Sequence, residues 1–202
     1  MLSSKLNTTK LILASSSASR LKLLARIGYN PDLVLAPCID ESPHKGELVI
    51  PLVKRLAYEK AQRIAASFPQ DIVLGADTIL AIGRRIIGKP AHADDAREYL
   101  QLLSGRRHKI YTAMCVVYNG KTMSRISHSI VKFKRLSEEE IDLYVNSKEW
   151  EGKAGGYSIQ GIASAFIEWI SGLDSTIIGL NLNIAYKMLS SAGVKQSTKI
   201  FA

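Results

Sequence analysis

Cysteine is scarce in this chain of 202 residues: there are only 2, Cys38 and Cys115, far apart and in no CxxC spacing. That excludes a disulfide framework and a cysteine-based zinc site, and two lone thiols fit a reducing cytosol. Aromatic residues make up 7%, so the basic stretches have little beyond Phe133 on which nucleic-acid bases could stack. No apolar run approaches the roughly 20 residues that a membrane span needs. The first one, Leu11-Ile12-Leu13-Ala14, is too short for a signal-peptide core and runs into serines and Arg20. The 4 histidines, His44, His92, His108 and His128, form no HxxxH or HExxH pattern, which disfavours a zinc hydrolase and leaves them structural or exposed. Neither they nor the serines have a nucleophile-elbow context. Low-complexity tracts, repeats and long linkers are also missing.

What is present is an ordinary hydrophobic share, 47%, with a net charge of +9. A chain of this size buries a substantial core, and residues 1–202 read as one domain, if need be of two closely joined lobes. The positive balance favours polyanions, either nucleic acid or small nucleotides. The basic runs, such as Arg106-Arg107-His108-Lys109, are short and scattered, as on a solvated strand face. The expected location is the cytoplasm, without membrane attachment.

Periodicity gives a mixed α/β pattern. Strands are expected over 10–14, 32–36 and 71–76, a hairpin over 78–87 turning at Gly83-Arg84, and a strand over 165–170. Helices are expected over 20–27, from Pro51 at a first helical position to Ala65, and over 94–103 and 182–191. Asn119-Gly120 predicts a tight turn joining strands 108–118 and 122–134. Ser137-Glu138-Glu139-Glu140 predicts a capping box opening a helix to about Asn146.

Several places carry candidate chemistry. Ser15, Ser17 and Arg20 lie in a Ser-rich turn between a strand and a helix, where hydroxyls, backbone N–H groups and a guanidinium can cradle phosphate. The same turn also reads as a plain helix cap. Asp77 follows the apolar run Val73-Leu74-Gly75-Ala76 and is expected at the carboxyl end of its strand, where α/β ligands bind. Gly75 and Ala76 are small enough for a ligand to approach the backbone. Asp40-Glu41 is a turn acid pair that could join Asp77 in holding Mg²⁺, whose sites combine one or two carboxylates with phosphate oxygens and water. Lys60 borders the apolar stripe of its helix, and Lys89 is held between Gly88 and Pro90. Gln160 lies among glycines at 155–161, and its amide can donate and accept at a base edge.

Together these residues resemble the Maf family of nucleoside triphosphate pyrophosphatases. The resemblance runs from Leu11 to about Leu189 through ordered motifs: Leu-Ala-Ser-x-Ser-x-x-Arg at 13–20, Asp-Glu at 40–41, Glu-Lys-Ala at 59–61, Gly-Ala-Asp-Thr at 75–78 and Gly-Lys-Pro at 88–90. Leu-Ser-Gly-x-x-His at 103–108, Lys-Ala-Gly-Gly-Tyr-x-Ile-Gln-Gly at 153–161 and Ile-Gly-Leu at 178–180 follow. It implies an elongated α/β fold like that of inosine-triphosphate pyrophosphatases, with a mixed sheet, flanking helices and two lobes around a cleft. It implies hydrolysis of a nucleoside triphosphate to monophosphate and pyrophosphate with a divalent metal, Mg²⁺ or Mn²⁺. By the same resemblance Asp77 is the base for the attacking water, and Lys60 and Lys89 are catalytic cations. Ser15 and Arg20 are phosphate-side residues with them; from the residues themselves Ser17 is expected to join them at the phosphate, and Glu41 to join Asp77 at the metal. Thr78 and Gln160 match the branch that prefers dTTP and UTP; the 7-methyl-GTP branch usually carries Glu at the Gln160 position. Ala18 and Ser19 stand where the family pattern has proline and an arginine linked to specificity, and Asn181 stands where it has proline. The expected partner is the nucleotide, with a homodimer possible. The alternative expectation is a nucleic-acid-binding or cell-division regulatory protein whose hydrolase activity is weak or lost.

Overall fold

The computed structural model of the chain describes residues 9–197; the ends of the expected 1–202 domain lie outside the described residues. Seven strands form one mixed sheet in the order β2-β1-β3-β5-β6-β7, with β4 paired to β3. The strands are β1 (Leu11–Ala14), β2 (Leu33–Leu35), β3 (Ile72–Ile82), β4 (Arg85–Ile87), β5 (Arg107–Tyr118), β6 (Lys121–Phe133) and β7 (Ile167–Ser171). The helices are α1 (Ala18–Arg26), α2 (Val49–Ala65), α3 (Ala93–Leu103), α4 (Glu138–Ser147), α5 (Asp174–Ile178) and α6 (Leu182–Ser191). Among the described residues no helix is long and apolar enough to cross a membrane.

The short β1 is parallel to both β2 and β3 and is buried throughout, as its unbroken apolar sequence requires. The other pairings, β3–β4, β3–β5, β5–β6 and β6–β7, are antiparallel. Asn119 and Gly120, at φ 47° and 68°, form the tight turn between β5 and β6; positive φ at both positions is what Asn-Gly supplies at low cost. The capping box at α4 also forms, with Ser137 Oγ accepting the Glu140 N–H and Glu140 Oε2 accepting the Ser137 N–H.

The sheet carries its core on both faces. On one face α2 lays Leu52, Val53, Leu56, Ala57 and Ala61 against Ile79, Ala113 and Cys115. On the other, two apolar clusters occupy opposite ends of the central strands. One gathers Leu74, Ala76, Met114 and Val116 with Leu23, Leu24 and Leu189. The second gathers Leu80, Ile110 and Phe133 with Leu100, Tyr144 and Tyr157. Thr78 and Thr112, in register on β3 and β5, lie between the two clusters.

Four expectations need correction. Asp77 is not at its strand's carboxyl end, because β3 runs on to Ile82. Gly75 does not serve ligand approach: a Cβ there would lie 2.7 Å from Ala57 O and Ala61 N, so the glycine lets α2 pack against β3. Pro51 is the third residue of α2, which begins at Val49; the first turn still tolerates it because those N–H groups have no helical partner. The strand expected over 165–170 forms as β7 but starts two residues later, at Ile167, because a 3-10 turn over Ile162–Phe166 precedes it.

Candidate active site

The site is a notch in the sheet. On one edge of β3, β1 pairs as far as Gly75 and β4 begins at Leu80, while the other edge stays paired with β5 throughout this stretch. Asp77 and Thr78 sit in the gap and point to opposite faces, as strand alternation demands. A cavity of about 640 Å³ opens there. Every expected site residue lines it: Ser15, Ser17 and Arg20; Glu41, Lys60 and Asp77; Thr78, Lys89 and Gln160.

On the α2 side, Lys60 is 5% exposed and Asp77 6%. Lys60 Nζ lies 2.6 Å from Asp77 Oδ1 and 2.6 Å from Glu41 Oε1. Lys89 Nζ approaches Glu41 Oε2 at 3.2 Å. Burial alone would raise the Glu41 carboxyl, but Lys60 and Lys89 outweigh it and hold the group below its ordinary value. Asp77 lines the cavity, and among the described residues its side-chain hydrogen bond is that of Oδ1 with Lys60, which leaves Oδ2 without one. The segment carrying Glu41 is clamped from behind. Arg55 pairs with Glu47 at 2.7 Å and donates to the Ser42 carbonyl at 3.0 Å, and its hydrogen bond holds Glu47 down to about 2.

On the opposite face Arg20 spans the notch. Its Nε donates to Gly179 O at 2.9 Å, Nη1 to Ser15 Oγ at 3.0 Å and Nη2 to Thr78 Oγ1 at 3.2 Å. Ser17 is the N-cap of α1, its Oγ accepting the Arg20 N–H at 3.4 Å. The turn is therefore both a helix cap and a wall of the cavity, so the two readings of the sequence coexist. Lys89 and Gln160 come from loops that are tied together, since Gly155 N donates to Gly88 O at 2.8 Å. Gly155 has φ 75°, and a Cβ there would meet Leu80 Cδ1 at 2.3 Å. Tyr157 anchors the same loop through a 2.7 Å hydrogen bond between its hydroxyl and His108 Nε2.

The family model for Maf-like proteins matches residues 10–192. The chain belongs to the Maf-like family. A Cereibacter sphaeroides protein named dTTP/UTP pyrophosphatase is 53% identical over 184 residues, 91% of this Maf-like chain and 95% of that one. A Zymomonas mobilis protein of the same name is 48% identical over 186 residues, 92% of each chain. An Anaplasma phagocytophilum protein named nucleoside triphosphate pyrophosphatase is 51% identical over 181 residues, 89% of this chain and 94% of that one. Among solved structures, that of the Staphylococcus aureus Ham1 protein aligns at a TM-score of 0.41 and 14% identity. It covers 61% of this chain and 71% of that one, a likeness too slight to bear on the fold.

Sequence reading of this Maf-like chain missed what stands behind Arg20 and Thr78. Thr112 is fully buried and donates to Thr176 O at 2.7 Å. Asn181 caps α6 by accepting the Ile184 N–H at 3.0 Å, and donates to Thr176 Oγ1 at 3.0 Å. Asn181 thus braces Thr176, whose carbonyl holds Thr112 behind the site. The Ile-Gly-Leu motif marked the segment without revealing its use, which is to present the Gly179 carbonyl to Arg20.

Proposed function

We propose that this chain hydrolyses pyrimidine nucleoside triphosphates, dTTP and UTP, to the monophosphate and pyrophosphate. The observation that carries the proposal is the pair of carboxylates, Glu41 and Asp77, converging on one buried ammonium in a cavity that also holds Arg20 and Lys89. Phosphoryl chemistry is mainly positioning and charge stabilisation, and these groups supply both. The names of the relatives at 53% and 48% identity support the choice of substrate.

Asp77 Oδ2, free of protein partners, orients water toward the α-phosphorus and takes its proton. A bond forms between the water oxygen and the α-phosphorus. The bond from the α-phosphorus to its bridging oxygen breaks, and pyrophosphate leaves with the electron pair. Lys60 and Lys89 balance charge on the phosphate oxygens, and Ser15, Ser17 and Arg20 seat the phosphate chain. Gln160 and Thr78 face the nucleoside. Among the described residues no cluster of three or more His, Cys, Asp or Glu could hold a metal unaided. Two carboxylates that already share one cation fit an Mg²⁺ or Mn²⁺ site completed by phosphate oxygens, so Glu41 and Asp77 would hold it. The metal would supply charge stabilisation for the phosphate oxygens.

On this reading the chain works as one domain, its two lobes flanking the cavity, in the cytoplasm where nucleotides are made. Pairing of two copies is checked by sedimentation. The site of attack is tested by turnover of UTP in ¹⁸O-water with Mg²⁺. The label is expected in UMP and absent from pyrophosphate; label in pyrophosphate, or release of phosphate instead, would overturn the assignment.

A further inference from the structure

We infer that Thr112 fixes Thr78 as a hydrogen-bond acceptor toward the cavity, so that the site selects nucleotides presenting an N–H or O–H donor there. The inference rests on the pyrophosphatase reading and deepens it. A threonine hydroxyl has one proton, whereas a carbonyl oxygen can only accept. Thr112 lies 2.7 Å from Thr176 O, so its proton is committed to that carbonyl. Thr78 and Thr112 are 2.9 Å apart, oxygen to oxygen. Thr112 has no second proton, so Thr78 must be the donor in that contact. Thr78 Oγ1 also accepts from Arg20 Nη2 at 3.2 Å. Its proton is committed behind it and its arginine-side lone pair is filled, which leaves it one lone pair and no donor for a ligand.

Ser15, on the other flank of Arg20, is wired in the opposite sense. Its Oγ accepts from Arg20 Nη1 at 3.0 Å and from the Ser17 N–H at 3.2 Å. Among the described residues nothing takes its proton, so Ser15 faces the cavity as a donor. The two hydroxyls gripped by one guanidinium therefore divide the site. Ser15 suits phosphate oxygens, which only accept. Thr78 is wrong for phosphate and suits the nucleoside, where the imino N–H of uracil or thymine and the sugar hydroxyls are the donors. The wiring is rigid because Thr112 is fully buried and Thr176 is 1% exposed, and Asn181 and Ser127 brace Thr176 Oγ1 at 3.0 and 3.4 Å. Thr112 touches no substrate in this scheme; it is a positioning residue.

The test uses the full chain carrying Thr112→Val, which keeps the shape and removes the hydroxyl. Thr78 then regains a free proton and can serve acceptors as well as donors. kcat/KM is measured for UTP, CTP and the 2′- and 3′-deoxy forms of UTP, and the ratios are compared with those of the unaltered chain. If Thr78 reads the base, the preference for UTP over CTP falls about five- to tenfold, the size of one neutral hydrogen bond, and the sugar ratios hold. If it reads the sugar, a deoxy ratio falls instead. Thr112→Ser is expected to restore the original ratios, which a purely structural role would not require. An equal loss on all substrates, or unchanged ratios in an active Thr112→Val protein, would overturn the inference. Should Thr112→Val not fold, Thr78→Val decides: the donor-bearing substrates should lose most, and a uniform loss would overturn it. An unaltered chain that releases no pyrophosphate from any nucleotide would overturn the activity reading itself, an outcome distinct from unchanged ratios in active protein.

Discussion

Lys60 sits where two carboxylates would otherwise repel each other, 2.6 Å from Asp77 and 2.6 Å from Glu41. Breaking a buried ion pair from one side strands the other charge, at a cost of about 3–5 kcal/mol for full burial. Glu41 is half open to solvent, so Lys60→Met should cost less, about 2–3 kcal/mol by denaturant melting, and should also lose most of the turnover. Asp77→Asn separates the two effects. It keeps the side-chain shape and an acceptor for Lys60, so the protein should melt near its usual midpoint while kcat falls about 100-fold or more, the contribution of a general base. His108 gives a prediction of another kind. Burial pushes its imidazole down to about 4 from 6.5, only partly offset by the Arg106 backbone, and its Nδ1 makes no well-formed hydrogen bond. The folded chain therefore holds His108 neutral where the unfolded chain would protonate it. Stability from this source is full above about pH 6.5 and is lost as pH falls toward 4, on the order of 3 kcal/mol in all. Unfolding measured across that range should show the slope, and His108→Asn should flatten it.

The helix α2 and the strand β3 bring the chemistry together through a contact that admits no side chain at Gly75. Gly75→Ala would set a Cβ 2.7 Å from backbone atoms of Ala57 and Ala61, so the helix must shift and carry Lys60 with it. We expect a destabilisation of about 1–3 kcal/mol, with a fall in kcat that tracks it; a fully active Gly75→Ala protein would contradict this account of the contact. This contact also marks the limit of what the sequence discloses. Asn119-Gly120 and the Ser137 capping box act through neighbours a few residues away, so their structures are legible from the sequence alone. The hairpin over 78–87 is legible too, but its continuity with the strand over 71–76 is not, because Asp77 and Thr78 look like the end of an apolar run. The strand persists through pairing with the distant β5, and the gap beside it arises because β1 stops early. The individual candidates were legible from residue type and order. Their division by Arg20 into a donor flank and an acceptor flank was not, since it depends on Thr112 and on the five-residue α5, too short to leave a period.

At the scale of the whole molecule, the net charge of +9 faces a substrate that is a polyanion. Attraction between them is screened over about 8 Å at physiological ionic strength. kcat/KM should therefore fall severalfold as salt rises from about 0.02 to 0.2 M, while kcat, set inside the cavity, changes little. A salt-independent kcat/KM would show that the surface charge serves something other than this substrate. The central claim is hydrolysis of a pyrimidine nucleoside triphosphate at the notch around Asp77. It is tested most directly by incubating the purified chain with Mg²⁺ or Mn²⁺ and a panel of nucleoside triphosphates, scoring pyrophosphate separately from phosphate. The account predicts pyrophosphate and monophosphate from UTP and dTTP ahead of the other nucleotides, and almost none from Asp77→Asn. Phosphate without pyrophosphate, or folded protein that releases neither, would contradict it.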